Sequence, residues 1–318
     1  MIIRKFIQSL FAIGVGLLMI VGSAFAEYPE KPITLVLPLG AGGSHDLNAR
    51  VFTSIIPEYL GNAVIVKLMP GASGQTGTAA VANAKPDGYT LLFTHNYFDQ
   101  LQQHVTKLPY DTTRDFKTVA RINYGVASIV VRADKPWKTL DEMVDYGKQN
   151  PGKLVFGHSG QWGAIFVPAA QFLTESGVKA KFVPYKGGGP AMKALLAGDS
   201  DFTMAFTSVI KAQGSKLRVL ASGGNSRVFP DIPTLKELGF KSDIGRMYRL
   251  VMAPRGVPED RMKTLYAAFE KLNGNKTYKR MMGRLDENTD LMLGPEYEMQ
   301  RPTQSDEFKV MVKAITGN

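Results

Sequence analysis

Cysteine is absent from the chain. That excludes disulfides, a lipid-modified N-terminal cysteine, thiolate metal sites and cysteine nucleophiles together. Histidine is scarce: His45, His95, His104 and His158 are the full set of 4. None stands in an H-E-x-x-H or other metal-ligand spacing, so no metal site is expected. Phosphate-loop and dinucleotide signatures are missing too. Gly40-x-Gly42 has no third glycine, Gly71-x-x-Gly74-x-x-Gly77 has the wrong spacing, and G-x-x-x-x-G-K-[ST] does not occur. Gly157-His-Ser-Gly-Gln161 falls one glycine short of a nucleophile elbow, and no histidine follows His158 to complete a hydrolase triad. Basic residues are scattered rather than interleaved with aromatics, which argues against a nucleic-acid partner. No cofactor is expected.

What the chain does have begins with an export leader. Arg4 and Lys5 precede an apolar stretch from Phe11 to Val21, and Ala24-Phe25-Ala26 reads as a cleavage site. This is the anatomy of a signal peptide over residues 1–26, with the mature chain starting at Glu27 in the periplasm. The apolar core is short for a membrane span, and no later segment has ~18 consecutive apolar residues. The mature length, about 290 residues, is ample for a core without disulfides and favours two domains over one. The formal net charge is +10, about +8 once Arg4 and Lys5 leave, a basic bias suited to mild steering of acidic solutes.

The densest signal is Ile33-Thr-Leu-Val-Leu-Pro-Leu-Gly-Ala-Gly-Gly-Ser-His-Asp46. An apolar run, a glycine turn and then Ser44 and Asp46 at the N-cap of a helix form a strand, loop and helix start. That arrangement presents free backbone N–H groups and the positive end of a helix dipole to an anion. The pattern recurs at Ala63–Val66, followed by Gly71-Ala-Ser-Gly-Gln-Thr-Gly77 and a helix over Thr78–Ala84. Third and fourth versions occur at Pro184–Pro190 and at Gly157–Gly160 ahead of a helix from Ile165. A single such loop is equally well a tight turn that needs glycine for positive φ. Several in succession favour convergence on one carboxylate-binding cleft.

Further strands are expected at Tyr89–Phe93, Val126–Val131, Lys153–Phe156, Lys181–Pro184, Leu217–Ala221 and Leu250–Ala253. Helices are expected at Leu140–Lys148 with Thr139 as its cap, at Ile165–Ser176, at Pro190–Ala197, and from Val257 to Gly274. Alternation of this kind predicts an α/β fold with mostly parallel sheets.

In order and wording, these motifs resemble the substrate-binding proteins of tripartite tricarboxylate transporters, the Bug family. The resemblance rests on Tyr28-Pro-Glu-Lys-Pro-Ile33, Pro38–Asp46 with Ala49-Arg50, Pro70–Gly77, and Ala84-Lys-Pro-Asp-Gly-Tyr-Thr-Leu-Leu92. It continues through Tyr110-Asp111, Asp115-Phe116, Asn150–Lys153, Val183–Gly187, Leu217–Ala221, Arg227, Phe229–Thr234 and Glu237-Leu-Gly239. It implies a two-lobe periplasmic binding protein of the flytrap type, each lobe a mostly parallel sheet flanked by helices. Lobe 1 would comprise residues 27–125 and 249–318, and lobe 2 residues 126–248. It further implies a small carboxylate ligand, aromatic or dicarboxylic, a monomeric chain, and delivery to a membrane permease or, alternatively, to a sensor kinase. An enzyme on the same scaffold is the other class, but no nucleophile with a partnered base is visible.

Carried over residue by residue, the resemblance places Leu39, Gly40, Ala41, Gly42, Gly43, Ser44, His45 and Asp46 on the ligand, with Gly71, Ala72, Ser73, Gly74, Gln75 and Thr94. From lobe 2 it adds Ser159, Gly160, Trp162, Tyr185, Gly187, Gly188, Thr207 and Ser208. Two loops depart from the family: Leu39 stands where an aromatic is usual, and Trp162, Gly163 and Phe166 stand where glycine, serine and, further on, a histidine are common. They predict a bulkier, more apolar distal wall.

Overall fold

A computed structural model describes residues 28–240 and 246–317. The expected leader, 1–26, lies outside the described residues. Strands in chain order are β1 (Ile33–Leu37), β2 (Val64–Leu68), β3 (Thr90–His95), β4 (Phe116–Gly125), β5 (Ala127–Arg132), β6 (Val155–His158), β7 (Lys181–Pro184), β8 (Phe202–Phe206), β9 (Leu217–Ser222), β10 (Met247–Pro254) and β11 (Met292–Leu293). Helices are α1 (Ser44–Thr53), α2 (Pro57–Leu60), α3 (Gln75–Ala82), α4 (Leu140–Gln149), α5 (Phe166–Ser176), α6 (Gly188–Ala197), α7 (Thr207–Gln213), α8 (Glu259–Gly274), α9 (Lys276–Arg284) and α10 (Gly294–Thr316). Sequence periodicity finds most of these within a few residues. It misses β4, β8, β11, α2, α7, α9 and α10.

The strands form two sheets, ordered β11-β4-β10-β3-β1-β2 and β7-β6-β8-β5-β9. Both are mixed, which corrects the expectation of mostly parallel sheets. β1 pairs parallel with β2 and β3, and β6 with β7 and β8; β10 pairs antiparallel with β3 and β4, and β5 with β8 and β9. The physical reason lies in the crossings. β4 of the first sheet ends at Gly125 and β5 of the second begins at Ala127. β9 of the second sheet returns to β10 of the first. A strand that enters a lobe from the other lobe starts at the edge where the local βαβ strands finish, so it must run against them.

Each sheet is packed into an apolar core. Ile33, Leu35, Leu37, Phe93 and Val251 meet Phe52, Leu265 and Phe269 in the first, and Ile129, Val131, Phe156 and Met204 meet Met143, Val167 and Phe172 in the second. α10 belongs to both. Tyr297, near its start, packs with Val36 and Leu250, whereas Phe308 and Val312 join the core of the second sheet. Between them Arg301 is buried. Its guanidinium donates to both carboxylate oxygens of Asp99, at 2.6 and 3.0 Å, and to the Thr112 carbonyl at 2.6 Å. Glu298, one turn away, accepts from it at 3.1 Å.

Removing one partner of a buried ion pair leaves the other unpaired in a poor solvent. Arg301→Met should therefore lower the free energy of unfolding by ~3–5 kcal/mol, measured by urea denaturation.

Candidate ligand-binding cleft

Strand ends set the site. β1, β2 and β3 of the first sheet and β6, β7 and β8 of the second finish on the same side of their sheets, and the loops leaving them meet across one cleft. Such carboxyl ends are where open α/β sheets collect ligands. The inner part of the cleft, about 460 Å³, is lined by Leu39, Gly40, Gly43, Ser44, His45 and His95 from the first lobe. Facing them are Ser159, Ala164, Ile165, Gly188, Met204, Ala205, Phe206 and Val209, with Met247 at the start of β10. An outer part, about 490 Å³, lies between Pro70–Gly74 and Ser159, Gly160, Pro184, Tyr185 and Lys186. Leu39 and Ser159 line both parts.

Helix starts border the inner part. α1 begins behind Gly43, α5 behind Ile165, α6 behind Gly187 and α7 behind Phe206, and none of these N-cap residues supplies a side-chain acceptor. The same holds for α2, α8 and α10, whereas α4 and α9, remote from the cleft, are capped by side chains. There Thr139 Oγ1 accepts from the Glu142 N–H at 3.3 Å, and Asn275 Oδ1 accepts from the Tyr278 N–H at 2.9 Å. The first turn of an α-helix has N–H groups without intrahelical partners; at α4 and α9 a side chain takes one of them, and at the cleft none does. In α5 the Phe166 and Val167 N–H groups are already directed to the Gly163 carbonyl. The Ser44 cap expected from sequence is corrected here. Gly43 is the cap, and Asp46 turns back so that its carboxylate accepts from the Gly42 N–H at 2.8 Å and pairs with Arg50 at 3.0 Å.

The starts of α1 and α6 come together because neither carries side chains there. A Cβ on Gly43 would lie 3.2 Å from the Gly189 nitrogen and 3.5 Å from that of Gly188. A Cβ on Gly189 would overlap the Ala41 carbonyl oxygen. The Gly40 N–H donates to the Lys186 carbonyl at 2.6 Å, and the Gln161 N–H donates to Ser73 Oγ at 3.0 Å. On another side of the cleft Ser208 Oγ donates to Glu287 Oε1 at 2.6 Å, and Lys211 pairs with Asp286. The two lobes are thus closed on one another.

The side chains of the inner cleft are neutral. His45 Nε2 stands 3.3 Å from the Thr94 carbonyl, so that nitrogen carries the proton. His95 Nδ1 accepts from the Phe98 N–H at 3.3 Å, which leaves the proton on Nε2. The rings are 5.1 Å apart. Burial, then neighbouring His95 and Arg249, hold His45 well below the usual histidine range; burial, then Arg249, push His95 down to about 3. Arg249 is fully buried, its guanidinium over the Phe206 ring, and is committed to Glu287 at 2.8 and 3.1 Å and to Asn123 at 3.0 Å. Its charge is therefore balanced inside the protein.

Of the residues singled out from sequence, Leu39, Gly40, Gly43, Ser44, His45, Ser159 and Gly188 line the inner part, and Gly71, Ala72, Ser73, Gly74, Gly160 and Tyr185 the outer. Ala41 and Gly42 are exposed, Gln75 opens α3, and the Gly187 backbone abuts that of Gly40. Thr94 and Thr207 are buried, and Ser208 is engaged by Glu287. Trp162 lines neither part. It packs 5.4 Å from Phe166, against the second core. The apolar wall exists, but Ile165, Met204, Phe206 and Val209 build it. Sequence reasoning missed these and His95, although β3 and β8 deliver His95 and Phe206 as their last residues.

A family model, the tripartite tricarboxylate transporter family receptor, matches residues 48–308. The chain belongs to that family. It is 34% identical over 283 residues to the UPF0065 protein in the gbd 5′ region of Cupriavidus necator, covering 85% of this chain and 83% of that one. The periplasmic binding protein BugD has a similar structure, with a TM-score of 0.86, 26% identity, and 91% and 98% of the two chains covered. The MatC protein of Rhodopseudomonas palustris, solved with bound malate, gives a TM-score of 0.82 at 25% identity over 90% of this chain and all of that one. The α/β two-lobe fold read from the sequence is shared with these receptors.

Two outcomes follow. Gly189→Ala puts a methyl group where the lobes meet while improving helix propensity. Ligand affinity, read by calorimetry, should fall at least about ten-fold, ~1.4 kcal/mol, with the melting temperature of the unliganded protein unchanged or higher. The second concerns pH. A histidine whose folded-state pKa is depressed resists protonation, so the unfolded chain binds more protons below pH ~6.5 and stability falls as pH drops through that value. Between pH 7.5 and pH 5 the His95 ring should cost about 2 kcal/mol, and His45 acts in the same direction. Urea titrations should show a smaller loss over this interval in His95→Asn than in the wild type.

Proposed function

We propose that this protein is a periplasmic receptor that captures a small carboxylate between its lobes and delivers it to a membrane transporter. The observation carrying this reading is the meeting of the α1 and α6 starts, without capping side chains, over an inner cleft lined by no charged residue among the described ones. Backbone N–H groups there suit an anion without an arginine or lysine. Membership of a transporter-receptor family supports delivery to a membrane partner, and the malate bound by MatC supports a carboxylate.

The finer assignments belong to the same proposal. The leader is cleaved after Ala26. Lobe 1 comprises 27–125 with 249–318, lobe 2 comprises 126–248, and the chain works as a monomer. The carboxylate rests on Gly43, Ser44 and Gly188, with the outer loop at Gly71–Gly74 closing over it. No chemical step follows capture: the inner cleft offers two neutral histidines and two serines, and neither histidine forms a hydrogen bond to a serine hydroxyl among the described residues.

A thermal-shift screen of mono-, di- and tricarboxylates tests this. A ligand at 100 times its Kd adds about 2.7 kcal/mol of stability, so a cognate acid should raise the melting temperature by several degrees. Mass spectrometry should then recover it unchanged. Gly43→Ala should abolish that shift and leave the unliganded melting temperature in place. Failure of every acid to shift the protein, or conversion of an acid to a new mass, overturns the reading.

A further inference from the structure

The inner cleft is chemically two-faced. Its first-lobe side carries the donors: the α1 start at Gly43 and Ser44, with His45 and His95. His95 is 2% exposed, and its Nδ1 is occupied by the Phe98 N–H. Among the described residues its protonated Nε2 has no protein partner, although the residue lines the cleft. A donor held in this way, on a ring 98% buried, calls for an acceptor from outside the chain. The α6 start lies beside the same spot, since the Gly188 and Gly189 nitrogens are the atoms nearest a Cβ on Gly43. The two helix starts therefore lie side by side rather than at separated places in the cleft.

The opposite side is different. Ile165, Met204, Phe206 and Val209, with Met247 at the start of β10, give it an apolar lining. None of the cleft-lining residues there is charged, and Arg249 behind Phe206 is neutralised by Glu287. A second carboxylate at that end would lose its water without gaining a partner, which buried charge does not tolerate.

We propose that the physiological ligand is a compact monocarboxylate: its single carboxylate is shared by the α1 and α6 starts and the His95 Nε2–H, and its apolar body lies against the wall formed by Met204, Phe206 and Val209. This inference rests on the carboxylate-receptor reading and narrows it. His95 is then a specificity-determining residue, because a neutral donor accepts an anion without demanding a second charge.

The test compares acids that differ by one carboxylate on the same carbon count. Calorimetry with the full mature chain uses hexanoate against adipate, and benzoate against terephthalate. Within each pair the monocarboxylate should bind at least ten-fold tighter. Val209→Lys, which sets an ammonium on the apolar wall, should reverse the order for hexanoate and adipate. His95→Phe, which keeps the ring and removes the donor, should weaken hexanoate and benzoate by a common factor of about ten. Should Val209→Lys fail to fold, the wild-type comparison still decides. Dicarboxylates that bind as tightly as their partners, or tighter, overturn this inference and leave the receptor reading standing. Silence from all four acids and from the wider carboxylate screen overturns both.

Discussion

The structure depends on two stretches of backbone being able to touch. Residues 40–43 of one lobe and 186–189 of the other approach so closely that a methyl group at Gly189 has nowhere to go. That approach brings the α1 and α6 starts side by side at the cleft. Side chains could supply stronger charge at this point, but they would hold the lobes apart. Glycine is required here for the closeness of two backbones, more than for its range of φ; Gly43 and Gly189 are not in the left-handed region.

The surrounding architecture keeps that contact in place. Strands local to a lobe end at the cleft, and strands arriving from the other lobe begin there, so the mixed sheets record where the chain crosses. The buried polar pairs sit behind the cleft rather than in it. Arg249, Asn123, Glu287 and Ser208 form a connected set in which the last two reach across the lobes. Had Arg249 been free, the inner cleft would carry a positive charge. With Glu287 beside it, the cleft is left to neutral donors and a hydrocarbon wall.

Much of this is legible in the chain, and what is not has physical reasons. The glycine loops stand out because strand, turn and helix start are all local signals. Leu39 to His45 and Gly71 to Gly74 could be placed at the cleft from sequence. The far wall could not. Met204, Phe206 and Val209 come from Phe-Thr-Met-Ala-Phe206 and the helix that follows, an apolar run whose neighbours in the sheet are distant in sequence, so its facing is fixed by tertiary packing. Trp162 drew attention as the conspicuous aromatic near a glycine, yet it adopts φ +58° and turns toward Phe166. His95 was passed over because it lacks metal-ligand spacing. Its place as the final residue of β3 was the better clue. α10 is hard to read for another reason: its buried stripe of Tyr297, Arg301, Phe308 and Val312 contains a charged residue, while the apolar Met299 and Val310 lie exposed on the opposite face.

That divided helix has a mechanical meaning. Tyr297 and Arg301 tie one half of α10 to the first lobe, while Phe308, 5.0 Å from Tyr97 of that same lobe, and Val312 join the core that includes the second sheet. A strap fastened to both bodies acts as a fulcrum. Any swing of one lobe on the other has to pass through that strap, so groups packed against it move least and groups farther from it move more.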